Sequence, residues 1–189
     1  NLYSSGEGGD RGFHQPDDGR FDQQEEVFGG CGASVLLKRS MLDAVGVFDD
    51  SFFMYYEDLD LAWRAQLRGW KCLYTPKSIV YHVHCGSSTE WSPFFTFHVE
   101  RNMLFTNIKN APWRGVVKAV KGLVLKTLSR AWRLARRRES DWGTFGVYIK
   151  AWFSLLWHLP MLLWKRLLIR TVRRKVGDAD VLRFVVNNT

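Results

Sequence analysis

The first 26 residues show no apolar periodicity and read as loop. A short apolar run follows a double glycine in "CGASVLLKRSM" (Cys31 to Met41). Residues 40–46 then predict a short helix, with Ser40 as its cap and Gly46 as its stop. "VFDDSFF" reads as a turn, and a second helix opens at Glu57. Its first turn carries Glu57, Asp58 and Asp60, Arg64 and Arg68 lie near its end, and Gly69 lies just past it, which is the polarity a helix dipole favours. Residues 71–75 predict a short strand that Pro76 ends. Residues 78–84 alternate, with Ile79, Tyr81 and Val83 on one side and Val80, His82 and His84 on the other, and so predict another strand. A helix is expected over residues 95–109.

Beyond residue 110 the pattern changes. On a wheel of about 100° per residue, 114–138 separates into two faces. Val116, Val117, Val120, Leu123, Val124, Leu128, Ala131 and Ala135 share one, and Lys118, Lys121, Lys126, Arg130, Arg133 and Arg137 share the other. The next segment, "AWFSLLWHLPMLLW" (151–164), carries no formal charge and is interrupted by Pro160. A spanning helix needs about 20 apolar residues, so this run predicts a re-entrant or interfacial hairpin. The tryptophans from Trp113 onward suit the headgroup layer. The basic cluster from Lys165 to Lys175 is expected to face anionic lipid, which places the chain at the cytoplasmic face of a membrane. A soluble helical bundle with a solvated basic face is the competing reading.

Charge sharpens that division. Residues 1–108 hold 9 Lys/Arg against 15 Asp/Glu, whereas residues 109–175 hold 17 Lys/Arg against 2 acids, so the overall +8 conceals two regions of opposite sign. The boundary is expected near Asn110 to Trp113, dividing the chain into 1–110 and 111–189. At 189 residues, 46% of them hydrophobic, the chain can bury a core. Three cysteines at irregular spacing, with no secretory signal, fit a reducing cytosol. The polar, glycine-rich opening reads as the middle of a protein entered through a loop. Basic residues interleaved with tryptophan can bind nucleic acid, but the uncharged run at 151–164 argues against that partner.

The chemistry gathers in "YYEDLDLAWR" (Tyr55 to Arg64), where three carboxylates lie within four residues behind an aromatic run. Helix-capping acids are one reading, worth a few tenths to about 1 kcal/mol each. A general base is another, because an acid beside bulky aromatics is desolvated and its pKa rises. Asp58-Leu59-Asp60 also has the form of a metal-binding D-x-D, yet residues i and i+2 of one helix point about 200° apart, which is poor for joint ligation. Asp178-Ala179-Asp180 repeats that form in the tail and reads as a cap. "HVHC" (His82 to Cys85) lacks the second ligand cluster that a structural zinc site requires. His82 reads either as one metal ligand beside carboxylates or as a hydrogen-bonded, half-buried core histidine.

Gly32-Ala33, Lys38-Arg39, "VGVFDDSFFMYYEDLDLAWRAQLRGWKCLYTPKSIVYHVHCGSS" and "ERNMLF", in that order, resemble the second half of the catalytic domain of family-2 inverting glycosyltransferases, most closely the rhamnosyltransferase-like branch. The match runs from about Gly12 to Lys109, and the basic tail is similar, more loosely, to the membrane-associated extension of that branch. The resemblance implies an α/β fold: the acceptor-binding C-terminal half of a GT-A domain, followed by a basic amphipathic helical tail. It implies Asp58 as the catalytic base, Glu57 positioning the acceptor, and Asp60 counted with the substrate-binding acids while also serving a structural role at the helix mouth. It implies Gly32 and Ala33 in a close-packed loop near the sugar. His82, 24 residues after Asp58, falls where some members hold a divalent metal, Mg²⁺ or Mn²⁺. The implied partners are a nucleotide-sugar donor, a glycan or lipid-linked acceptor, and an anionic membrane surface met through residues 114–175. The family's nucleotide-binding strands and its own D-x-D lie upstream of the matched segment, so the chain is expected to be inactive alone. A non-enzymatic membrane-surface or nucleic-acid-binding module is the alternative.

Overall fold

The computed structural model describes residues 1–83, 86, 88–136 and 142–186. Helices dominate: α1 (Arg39–Val45), α2 (Glu57–Leu67), α3 (Pro93–Asn110), α4 (Trp113–Ala135), α5 (Trp142–Leu167) and α6 (Asp178–Leu182), with a π-helical turn at Leu168–Val172. Among the described residues the strands are short and form two pairs. β1 (Leu2–Tyr3) runs parallel to β4 (Val185–Val186), with Leu2 opposite Val185. β2 (Glu25–Val27) runs antiparallel to β3 (Cys72–Tyr74), with Glu25 opposite Tyr74. The fold is mixed α/β and mostly helical.

At the centre lies α3. Ser92 caps it, accepting from the Phe95 N–H at 3.2 Å, and Pro93 occupies the first turn, where a missing N–H costs nothing. From Glu100 to Asn110 every residue is buried, polar and apolar alike. Met103, Leu104, Phe105 and Ile108 join Phe28, Phe52, Trp63, Leu67, Leu123, Leu155, Leu162 and Val181 in one apolar core. The expected boundary near residue 110 is therefore a tight turn between α3 and α4, with core residues on both sides. Chain ends and middle also meet: Lys175 N–H donates to Leu67 O at 2.9 Å, and Arg183 pairs with Glu26.

Several polar side chains of α3 are paired in the same interior, while Glu100 Oε2, Thr106 Oγ1, Asn107 Oδ1 and Asn110 Oδ1 are buried without a hydrogen-bond partner among the described residues. Lys109, 1% exposed, lies between Asp49 at 2.5 Å and Asp60 at 2.8 Å, and Lys165 of α5 reaches Asp49 from the other side at 2.7 Å. Burial alone pushes the Asp49 carboxyl up, but the Lys109 charge and hydrogen bonds from Lys109, Lys165 and Ser51 outweigh it and hold the group well below the usual carboxylate range. Such a depressed pKa supplies stability above the unfolded value and loses it as pH falls.

Several expected elements differ from those observed. Residues 78–83 form no strand and lie exposed, Tyr81 at 95%, because no neighbouring strand among the described residues accepts their ladder. The apolar run after Cys31 is irregular as far as α1, whose N-cap is Lys38 rather than Ser40; Gly46 does end it, at φ 87°, returning its N–H to Leu42 O. The hairpin expected at 151–164 is instead the middle of a continuous helix. Pro160 is tolerated there because it lies on the exposed side of α5, where water can reach the carbonyl it leaves unpaired. Among the described residues no helix is long and apolar enough to cross a membrane.

The basic tail is also redistributed. Arg166 donates to the carbonyls of Ile108 at 2.6 Å and Ala111 at 2.8 Å, and Arg170 donates to that of Asn110 at 2.6 Å and pairs with Asp178. They satisfy carbonyls at the end of α3 that lack helical partners. Lys126, expected on the solvated face, bridges Glu100 at 2.7 Å and Glu7 at 3.1 Å.

Replacing Lys109 by Met leaves Asp49 and Asp60 with one cation each in a dry interior. The variant should lose about 3 kcal/mol of unfolding free energy, the lower end for a broken buried pair, as measured by denaturant unfolding; an unchanged midpoint contradicts the pairing.

Candidate functional site

The acid pair owes its position to the six residues before it. Phe53, Tyr55 and Tyr56 all adopt left-handed backbone, at φ 66°, 64° and 70°. For bulky non-glycine residues that conformation costs of order 1–3 kcal/mol each, and it persists only where the surroundings hold it. The hold comes from α3. Asn102 Nδ2 donates to the carbonyls of Phe52 (3.0 Å), Met54 (2.7 Å) and Tyr55 (2.8 Å). Arg101 donates to those of Ser51 (3.1 Å) and Phe52 (2.8 Å), and its Nε bonds Asn102 Oδ1 at 2.8 Å, which orients the amide. Tyr56, the left-handed N-cap of α2, is anchored by its hydroxyl, which accepts from Gly8 N–H at 3.2 Å, and burial drives that phenol far above its ordinary pKa.

α2 begins at Glu57, and its three acids part ways within one turn. Asp60 is wholly buried, bonded to Arg64 Nε (2.9 Å), Asn110 Nδ2 (2.8 Å) and Lys109 Nζ (2.8 Å). Expected among the acids available to substrate as well as at the helix mouth, it has no exposed surface, and its role here is to tie α2 to α3. Arg64, held by Asp60, spends its other nitrogens on the carbonyls of Val45 and Val47 after α1.

Asp58 is half-buried. Its Oδ2 accepts from Gly32 N–H at 2.9 Å and its Oδ1 from Leu59 N–H at 2.7 Å, so both oxygens are oriented and each retains a free lone pair. Glu57, also half-buried, has an Oε2 with no hydrogen-bond partner although the atom is shut away from solvent. Burial pushes the Glu57 carboxyl up, its own backbone N–H opposes this, and the Asp58 charge adds to the rise. The desolvated acid anticipated behind the aromatic run is thus Glu57. Together the pair offers one oriented carboxylate and one under-bonded one, an arrangement able to accept a proton and a hydrogen bond from a bound hydroxyl.

Gly32 and Ala33 are exposed, and Gly32 acts through its N–H. The close packing expected there falls instead at Gly29, where an added Cβ would lie 2.4 Å from Ala62 Cβ of α2, so only glycine permits that approach. His82 lies exposed on the irregular segment after Pro76, which is neither a strand end nor a core. His84 and Cys85 fall outside the described residues. Among the described residues no three His, Cys, Asp or Glu side chains are grouped to hold a cation.

Arg101 and Asn102 were invisible as site residues, although "ERNMLF" contains them. A Glu-Arg-Asn run set directly between Val99 and Met103-Leu104-Phe105 was the available signal, because buried polar groups must find partners.

An 84-residue stretch, 43% of the chain, is 34% identical to the N-acetylglucosaminyl-diphospho-decaprenol L-rhamnosyltransferase of Mycobacterium tuberculosis, in strains CDC 1551 / Oshkosh and ATCC 25618 / H37Rv alike. That likeness relates the chain to glycosyltransferases. The matched stretch covers 27% of each relative, so the chain spans about a quarter of the length of the curated proteins it matches. No family model matches the chain, and no solved structure matches it significantly.

Two outcomes follow. Asn102→Ala removes two N–H donors that three carbonyls of a strained loop share, each worth roughly 1 kcal/mol, and should cost about 2 kcal/mol in denaturant unfolding; a loss under about 0.5 kcal/mol contradicts the clamp. Because the folded-state pKa of Glu57 is raised, its ionised form costs stability at neutral pH, and the cost disappears below the ordinary value of 4.5. Glu57→Gln should therefore melt higher than the parent at neutral pH, with the gap closing in acid; identical melting at every pH contradicts the burial.

Proposed function

We propose that this chain is the acceptor-binding part of a sugar transferase that uses a nucleotide-sugar donor and works with inversion at the anomeric carbon. The observation that carries the reading is the Glu57–Asp58 pair, presented at the mouth of α2 with one oxygen unpartnered, in a chain related to a rhamnosyltransferase. In the proposed step the acceptor hydroxyl gives its proton to Asp58. The freed oxygen lone pair forms the bond to the anomeric carbon as the bond from that carbon to the diphosphate oxygen breaks. The nucleoside diphosphate departs with the bonding electrons. Gly32 N–H holds Asp58 toward the acceptor, and the half-buried Glu57 carboxylate beside it positions the acceptor. Binding of the nucleotide is assigned to residues outside this chain.

The acceptor is proposed to be a glycan or lipid-linked saccharide, met at the cytoplasmic face of a membrane. Helices α4 and α5 support that setting, for they carry much exposed tryptophan and leucine beside cations.

Asp58→Asn in the intact protein should lower transfer by about 10²- to 10⁴-fold, the usual contribution of a general base, with the fold retained at the assay temperature. Glu57→Gln should chiefly raise the acceptor KM. Parent-like turnover by Asp58→Asn, measured as release of nucleoside diphosphate, sinks the assignment.

A further inference from the structure

α5 turns one whole side to solvent, and that side is apolar. On a wheel of about 100° per residue, Trp142, Phe153, Leu156, Trp157, Leu163 and Trp164 fall along one stripe, with Phe153 70% and Trp157 84% exposed. The opposite side (Ala151, Leu155, Leu162) is fully packed on the core. The stripe runs nearly the length of a helix of 26 residues, far more than a soluble surface ordinarily leaves bare.

α4 continues the same surface. Trp152 Nε1 donates to Thr127 Oγ1 at 3.1 Å, and the Arg166 guanidinium stacks over the Trp113 ring at 4.1 Å, so α5 runs antiparallel to α4. With that direction fixed, the exposed apolar edge of α4 (Trp113, Val117, Val124, Leu128) turns to the same side of the helix pair as the α5 stripe. Part of this edge forms an apolar groove of about 420 Å³ beside the Lys121 stem.

Charge decides the occupant. Arg114, Lys118 and Lys121 are exposed along the outer flank of α4, and Lys150 is exposed on the outer flank of α5. Neither helix contains an Asp or Glu. An apolar centre carrying three tryptophans on α5, rimmed on both sides by cations and opposed by no acid, complements a sheet of anionic headgroups over hydrocarbon. A protein partner would more commonly supply acids and demand some in return. Neither helix is fitted to span a bilayer. The geometry points to α4 and α5 as an in-plane membrane anchor. The Phe153–Trp157–Trp164 stripe enters the headgroup–acyl boundary, and the flanking Lys and Arg reach up to anionic lipid phosphates.

This deepens the membrane setting of the proposed function and rests on it, while shifting the contact from the basic cluster 165–175 to the aromatic stripe. Vesicle binding is read without sugar transfer, so the anchor and the chemistry fail separately.

The test is co-sedimentation of the intact protein with phosphatidylcholine vesicles with and without phosphatidylglycerol, at low and high salt. The anchor predicts binding that is stronger with phosphatidylglycerol and that persists at high salt. It also predicts that Phe153→Ser with Trp157→Ser lowers partitioning at least about tenfold, with melting retained because both side chains are already exposed. Complete release by salt, or binding indifferent to the double substitution, overturns insertion. Self-association abolished by the same substitutions, without vesicle binding, assigns the face to a second copy and overturns the anchor. Absence of both behaviours assigns it to residues outside this chain and does the same.

Discussion

The structure depends on the polar side chains of a helix that is buried on every side from Glu100 to its end. α3 could have been an apolar rod; instead Arg101, Asn102, Asn107, Lys109 and Asn110 project into surroundings that offer no water. Each must find a partner, because an unpaired buried polar group costs roughly 1–3 kcal/mol and an unpaired charge more. The partners they find are the loops and acids that make the site. Asn102 and Arg101 take the carbonyls of 51–55, Asn107 takes Gly6 O at 2.8 Å, and Lys109 and Asn110 take Asp60. Satisfying α3 and shaping the mouth of α2 are one event.

The strained segment shows what that arrangement achieves. Left-handed Phe53, Tyr55 and Tyr56 turn the chain sharply into α2, so Glu57 and Asp58 stay near the surface while Asp60, two residues on, goes inside. A relaxed extended entry would place the same three acids differently. The asymmetry between an oriented Asp58 and an under-bonded Glu57 is therefore a property of the turn, and the turn is held by α3. α5 adds a brace from outside, since Lys165 shares Asp49 with Lys109 and couples the exposed helical layer to the buried charges beside the site.

Much of this was legible beforehand. α2 was marked by its acids at one end and Gly69 at the other, and α4 by its periodicity. By spacing alone the three carboxylates read as readily as helix-capping acids, and it was the resemblance of the surrounding block to glycosyltransferases that marked the pair as chemistry. Pairing between distant residues was not legible. Residues 78–83 alternate as a strand should, but alternation cannot supply a neighbour. The uncharged run with Pro160 reads as a break until one sees that the proline lies on the exposed side. The cations of 165–175 read as a lipid-facing patch by composition, yet carbonyls at the end of α3 and nearby acids take several of them. Period and composition report which faces differ. They do not report which partner each face meets.

The central claim is that α3 acts on chemistry through the turn and through Asp58. A double-mutant cycle on transfer rate in the intact protein, combining Asn102→Ala with Asp58→Asn below the melting temperature of every variant, tests it most directly. If Asn102 works by placing Asp58, each single substitution slows transfer and the double variant is no slower than Asp58→Asn alone. Losses that multiply would mean that the two residues act independently, and would contradict the account.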